Sequence, residues 1–215
     1  MVPIFESLSD NWKHIAPFLL NIFPPRINIR DGENHIADDS QSLLADYVGL
    51  YPSPAGKVFD ILAVEMKPPK NVSSDQLRSD FVKTGKEMKD MLDTLIDNGV
   101  HDAIAVGFVI EGYKSRSYTM ELVGEGVYLM VQRGNCELLR SPNDASRIPQ
   151  LYEHFLQIRN LLLSIIHKID NIPSTTHAIH QAWKRPSAPI PQRTNKKRNS
   201  TSDTTSSLPT IPFNE

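Results

Sequence analysis

Three residues carry the sharpest chemistry in this chain: Asp46, Glu65 and Lys67. Glu65 and Lys67 close the run Val58-Phe59-Asp60-Ile61-Leu62-Ala63-Val64-Glu65-Met66-Lys67. In a strand, residues two apart share a face, so this run presents a carboxylate and an ammonium side by side at the end of an apolar strand. Burying a charge is costly unless it is paired or bound to a metal. Asp46 lies in a second extended run. With a connecting turn of roughly six residues, it falls opposite Ala63 and faces the side of Glu65 and Lys67. Two carboxylates converging from neighbouring strands make a hard-oxygen site suited to magnesium or manganese. A metal there activates water and neutralises charge developing on a phosphoryl group. Lys67 would position that water and stabilise the same charge. Asp60 is the alternative first carboxylate, but it reaches that face only through a bulge. The plain alternative is a strand-end ion pair with no chemistry.

The tripeptide Glu-x-Lys has little meaning alone, since a chain of 215 residues holds about one by chance. A second copy, Glu87-Met88-Lys89, falls in a helical stretch and is expected to be a solvated face. The first copy differs by its setting. Val58 to Lys67 is apolar on both faces, as in a central strand covered on both sides. The run Leu43 to Tyr51 precedes it across the turn cluster Pro52-Ser53-Pro54-Ala55-Gly56, which suggests an antiparallel hairpin.

Around this hairpin the periodicities predict further elements. A helix spans residues 1 to about 23, with Trp12, Ile15, Phe18, Leu19 and Ile22 on one face, and a short strand spans Arg26 to Arg30. Asp31 to Gln41 is a polar loop. A helix from Ser74 or Asp75 to Asn98 carries the stripe Phe81, Val82, Gly85, Met88, Leu92, Leu95 and Ile96, and Asn98-Gly99 ends it. Strands follow at Ala103 to Ile110, Ser117 to Val123 and Val127 to Gln132, with one more edge strand at Cys136 to Arg140. A long helix at 148–169 buries Leu151, Tyr152, Phe155, Leu162, Ile165, Ile166 and Ile169. The expected class is α/β or α+β, a mixed sheet flanked by helices, over residues 1–172.

Residues 173–215 form an expected disordered tail rich in Pro, Ser, Thr and basic residues. From Lys184 onward there are six basic residues and two acids; the remainder has 17 basic against 23 acidic. The acidic body weighs against simple electrostatic nucleic-acid binding. In the tail, Lys184-Arg185 and Lys196-Lys197-Arg198 have the spacing of a bipartite nuclear localisation signal, which implies an import carrier as partner and a nuclear location; a cytoplasmic one is the alternative. One cysteine, Cys136, excludes an intrachain disulfide and a cysteine-based zinc site. The N-terminal stretch, with Glu6 and Asp10, does not read as a signal peptide, and no apolar run reaches the length of a membrane span. The seven histidines show no ligand spacing and read as structural or solvent-exposed.

The pattern Asp46-x18-Glu65-x-Lys67, in the order helix, three strands, helix, strand, resembles the PD-(D/E)xK nuclease superfamily and its restriction-endonuclease-like fold. The resemblance covers about residues 5 to 135. The stretches Ala63 to Pro69, Lys83 to Asp93 and Gly107 to Tyr113 are similar to uncharacterised fungal proteins. The superfamily implies a magnesium- or manganese-dependent nuclease in which Asp46 and Glu65 hold the metal and Lys67 acts on the water. It also implies auxiliary residues on the following helix, for which Lys83 and Lys86 are candidates, and on the first helix, for which Glu6 is one. Ala45 stands where that pattern has proline. The competing reading is a non-catalytic interaction module on the same fold, with the long C-terminal helix serving a partner or a homodimer.

Overall fold

The computed structural model describes residues 23–31, 45–67, 74–172 and 182–186. The expected N-terminal helix, Glu6, and residues 32–41, 43 and 44 lie outside the described residues. Six strands form one sheet: β1 (Asn28–Asp31), β2 (Tyr47–Pro52), β3 (Val58–Lys67), β4 (Ala105–Glu111), β5 (Lys114–Gly124) and β6 (Val127–Glu137). Helix α1 (Ser74–Asp97) connects β3 to β4, and a 3-10 turn (Pro142–Arg147) leads into helix α2 (Ile148–Asp170). The strands lie side by side in chain order. All neighbours are antiparallel except β3 and β4, which are parallel. A parallel pair needs a crossover, and α1 supplies it. The result is a mixed sheet of the α+β class.

The helices cover opposite faces, as adjacent residues of β4 show. A side chain at Gly107 would meet Met88 and Thr84 of α1. Phe108, the next residue, packs its ring at 5.6 Å from Phe155 of α2. Ala105 to Ile110 are therefore buried without a break, and β3 is buried from Ile61 to Glu65. Both are central strands, as their two-faced apolar pattern predicts. Helix α1 ends where Gly99 takes a φ of 83° and Val100 donates its N–H to the Leu95 carbonyl, a left-handed stop that glycine adopts without strain.

Gly107 is required by close approach. A Cβ there would lie 2.5 Å from the Met88 sulfur and 3.1 Å from the Thr84 methyl. Met88 and Thr84 are both fully buried, so neither side chain can swing into solvent. Gly107→Ala is expected to cost about 1–3 kcal/mol by overpacking, read as a lower midpoint in urea.

Several sequence expectations need correction. Phe81 and Val82 are 46% and 52% exposed, so the buried stripe of α1 starts only at Thr84 and Met88. Phe81 nevertheless meets the sheet, its ring edge-on to Tyr118 of β5 at 5.6 Å, and Val82 borders a groove beside Met120 and Tyr128. Tyr152 is likewise exposed, while Ile158 takes the core position. No separate strand begins at Cys136 among the described residues. β6 runs on through Glu137, because pairing with β5 continues past an irregularity at Ser117/Tyr118. The buried face of α2 packs on its own sheet, with Phe155 against Phe108, while Tyr152 and Leu163 remain exposed. Among the described residues, no helix is long and apolar enough to cross a membrane.

Candidate functional site

The hairpin that carries Asp46 and Glu65 depends on one irregularity. From the turn outward, Pro52 pairs with Val58, Tyr51 with Phe59 and Leu50 with Asp60; then Gly49 pairs with Leu62. Ile61 is the extra residue of a β-bulge. Each one-residue slip turns a strand's side chains to the other face. Without the bulge, Asp46 would fall opposite Val64 and away from Glu65. With it, Tyr47 pairs with Val64, and the next position inward sets Asp46 beside Glu65 rather than opposite Ala63. The same bulge turns Asp60 to that face by register, but at about 13 Å along the strand from Glu65. The site carboxylate is Asp46.

Asp46 Oδ2 accepts a 2.6 Å hydrogen bond from the Met66 backbone N–H, which locks the loop before β2 onto the end of β3. Glu65 is 1% exposed. The Lys67 ammonium lies 2.9 Å from Glu65 Oε1, and the Lys83 ammonium from α1 donates to Oε2 at 2.9 Å. The Lys67 contact is close but poorly aligned, for Oε1 has no hydrogen-bond donor of good geometry. One buried carboxylate thus holds two ammonium groups, each about a fifth exposed at its side chain.

Glu87 joins them, contrary to the expectation of a solvated face. It lies one helical turn after Lys83, and residues four apart share a helix face. Both its carboxyl oxygens are buried without a hydrogen-bond partner. Burial, opposed by Lys83 and reinforced by the negative Glu65 and Asp46, pushes its carboxyl up to about 8. Burial and the neighbouring Glu65 also hold Asp46 above the usual carboxylate range. Three carboxyl groups here face two ammonium groups, and two of the acids resist ionising. The signal was present in the sequence: if Lys83 faces the site, Glu87 must do so too.

The oxygen donors of Asp46 and Glu65, in a pocket short of positive charge, fit a hard divalent cation that completes its shell with water. Among the described residues, no group of three or more His, Cys, Asp or Glu side chains is arranged to hold a metal ion by itself.

The other candidates sit elsewhere. Lys86 lines a separate groove with Val82, Lys89, Tyr128 and Arg185. Lys184 and Arg185, expected in a disordered tail, are docked on the folded body. Lys184 is ion-paired with Asp97, and Arg185 Nη2 donates to the Gly126 carbonyl at 2.6 Å. Gly126 returns a 2.6 Å bond from its N–H to the Trp183 carbonyl. Lys196, Lys197 and Arg198 lie outside the described residues, as do His14, His35, His177 and His180. His154 lies on the buried face of α2, and burial lowers its pKa. Cys136 is buried with its thiol pushed up by burial, which suits packing rather than nucleophilic attack. No protein-family model, curated protein or solved structure matches this chain.

Proposed function

We propose that this protein is a magnesium- or manganese-dependent phosphodiesterase acting on nucleic acid, built on a restriction-endonuclease-like core of the PD-(D/E)xK type. The observation that carries the reading is the bulge at Ile61. A hairpin has no folding need to bring a second carboxylate beside a buried, doubly ion-paired glutamate; a metal-dependent site does. Asp46 and Glu65 would hold the cation, which when bound polarises the phosphoryl oxygen and acidifies water. Lys67, at the open end of β3, would orient the attacking water, and Lys83 would hold the Glu65 carboxylate in place. In the reaction, the water oxygen bonds to phosphorus and one phosphorus–oxygen ester bond breaks. The departing oxygen takes a proton, and the water's remaining proton passes to solvent.

A second reading has one observation in its favour: both Glu65 oxygens already carry an ammonium. On that reading the cluster is a structural ion-pair network in a non-catalytic nuclease-fold module. Location in the nucleus through the basic tail belongs to either reading, and the docking of Lys184 and Arg185 requires that arm to detach before an import carrier grips it.

The test is hydrolysis of labelled DNA and RNA, single- and double-stranded, with magnesium or manganese and with chelator. Asp46→Asn keeps the bond from the Met66 N–H but removes the charge. It is expected to lower metal-dependent cleavage by about 100-fold or more at unchanged thermal stability. Cleavage at the wild-type rate by Asp46→Asn would assign the activity to a contaminant and leave the network reading.

A further inference from the structure

The strand registers extend the candidate site into a second one. Lys67 pairs with Glu111, Glu111 with Lys114, and Lys114 with Glu137. One step along, Glu65 pairs with Val109, Val109 with Arg116, and Arg116 with Asn135. Directly paired residues share a sheet face. Arg116 therefore stands on the same face as Glu65, two strands away, or about 10 Å. The ion pair between Arg116 and Glu111 at 2.9 Å fits this shared face.

At the end of that row is a cavity of about 500 Å³, lined by Lys114, Arg116, Arg147, Asn135, Gln150 and Glu137, with Ser115 and Cys136 also in the wall. Three cations face one carboxylate in the lining. Glu137 is bound to Arg147 and Arg140, and Asp144 lies 3.9 Å from Arg147. Lys114 makes no ion pair among the described residues. A guanidinium has five donors, so Arg116 and Arg147 each keep several beyond their carboxylate contacts. Asn135 and Gln150 add neutral amide donors. The cavity also lies at the start of α2, whose positive end favours an anion. In a chain with an acidic body, such a concentration of donors suits an anionic ligand.

We infer that this cavity is an anchoring site for a backbone phosphate of single-stranded nucleic acid whose reacting bond lies at Glu65, two strands from Arg116. The inference rests on the phosphodiesterase reading for its register, but binding at the cavity is measured separately from cleavage. A phosphate held there aligns the chain along the ends of β3, β4 and β5 and brings the scissile group to Asp46, Glu65 and Lys67.

The experiment measures binding of fluorescent single-stranded DNA and RNA by anisotropy, in chelator so that no cleavage occurs, across a salt series. The double variant Lys114→Ser/Arg147→Ser is expected to weaken binding about 10-fold or more and to flatten the salt dependence by nearly two phosphate contacts. Cleavage of a small phosphodiester ester, too short to span both sites, should be unchanged. Because Arg147 also holds Glu137, Gln150→Glu at an exposed position is a second variant that adds negative charge without removing an ion pair. It should weaken binding in the same sense. Unaltered oligonucleotide affinity in both variants overturns the inference, whether or not the protein cleaves. Inorganic phosphate is the control ligand. If the variants lose phosphate binding but keep full oligonucleotide affinity, the cavity serves a free phosphate compound, and the anchoring role is overturned. If the wild type binds oligonucleotide through the cavity yet never cleaves, the anchor stands and the phosphodiesterase reading falls.

Discussion

Glu65→Gln is expected to abolish metal-dependent phosphodiester cleavage, by 100-fold or more, and to lower the melting temperature by several degrees. The two effects have separate causes. Glutamine keeps the shape of the side chain and offers one oxygen, so packing on the end of β3 survives. It carries no charge for a divalent cation. It also leaves the ammonium groups of Lys67 and Lys83 facing a neutral amide in a pocket where Glu65 is almost wholly shielded from water. Stranding a fully buried charge costs about 3–5 kcal/mol. Both lysines reach solvent in part, so about 1–3 kcal/mol is the expected loss here. Adding Lys83→Met should recover part of the stability, since it removes one stranded charge and buries an apolar chain of similar length. It should recover none of the activity. Calorimetry and cleavage assays on the single and double variants separate the roles. A Glu65→Gln protein that cleaves normally would end the catalytic reading. One that melts like the wild type would show that the ion pairs add nothing to stability.

The second large effect is a pH dependence opposite to that of most carboxylates. Glu87 has a folded value of about 8 against an ordinary 4.5. The folded state therefore holds its proton more tightly than the unfolded state. The stabilising contribution of the neutral acid is fully present below about pH 4.5 and is lost as pH rises through about 8. Stability should decline across that window by an amount on the order of 2 kcal/mol, allowing for partial exposure of the residue. Glu87→Gln, which mimics the neutral acid, should remove this decline and leave the protein more stable at pH 8. Saturating magnesium should also reduce it, because added positive charge near Asp46 and Glu65 favours ionised neighbours. Urea unfolding from pH 5 to 8.5, with and without magnesium, measures each slope. If Glu87→Gln keeps the wild-type slope, the buried carboxyl is not its source.

The sequence alone was enough to outline β3, the two long helices and the hairpin at Glu125-Gly126, because these follow from local periodicity and turn chemistry. It placed Glu65 and Lys67 on one face because two-residue alternation is a property of any strand. It named Asp46 as the partner by counting back from a turn, and the count of residues was off. Asp46 stands beside Glu65, not opposite Ala63, and the shared face survives only because the bulge at Ile61 shifts the register. Nothing local in Asp60-Ile61-Leu62 marks a bulge.

The exposure of Phe81, Val82 and Tyr152 was also illegible, since a helical stripe does not reveal how completely neighbouring segments cover each of its residues. Tertiary structure alone decided which of the helix's lysines serves the site. Lys83 reaches Glu65, whereas Lys86 turns toward the β5–β6 hairpin. It converted the second Glu-x-Lys from a solvated face into a buried acid beside the first. It seated Lys184 and Arg185 on Asp97 and Gly126 although their composition reads as tail. In each case the deciding quantity is a contact between segments far apart in the chain. Local preference determines the elements, while register, crossover and burial determine which charged groups meet and what their meeting costs.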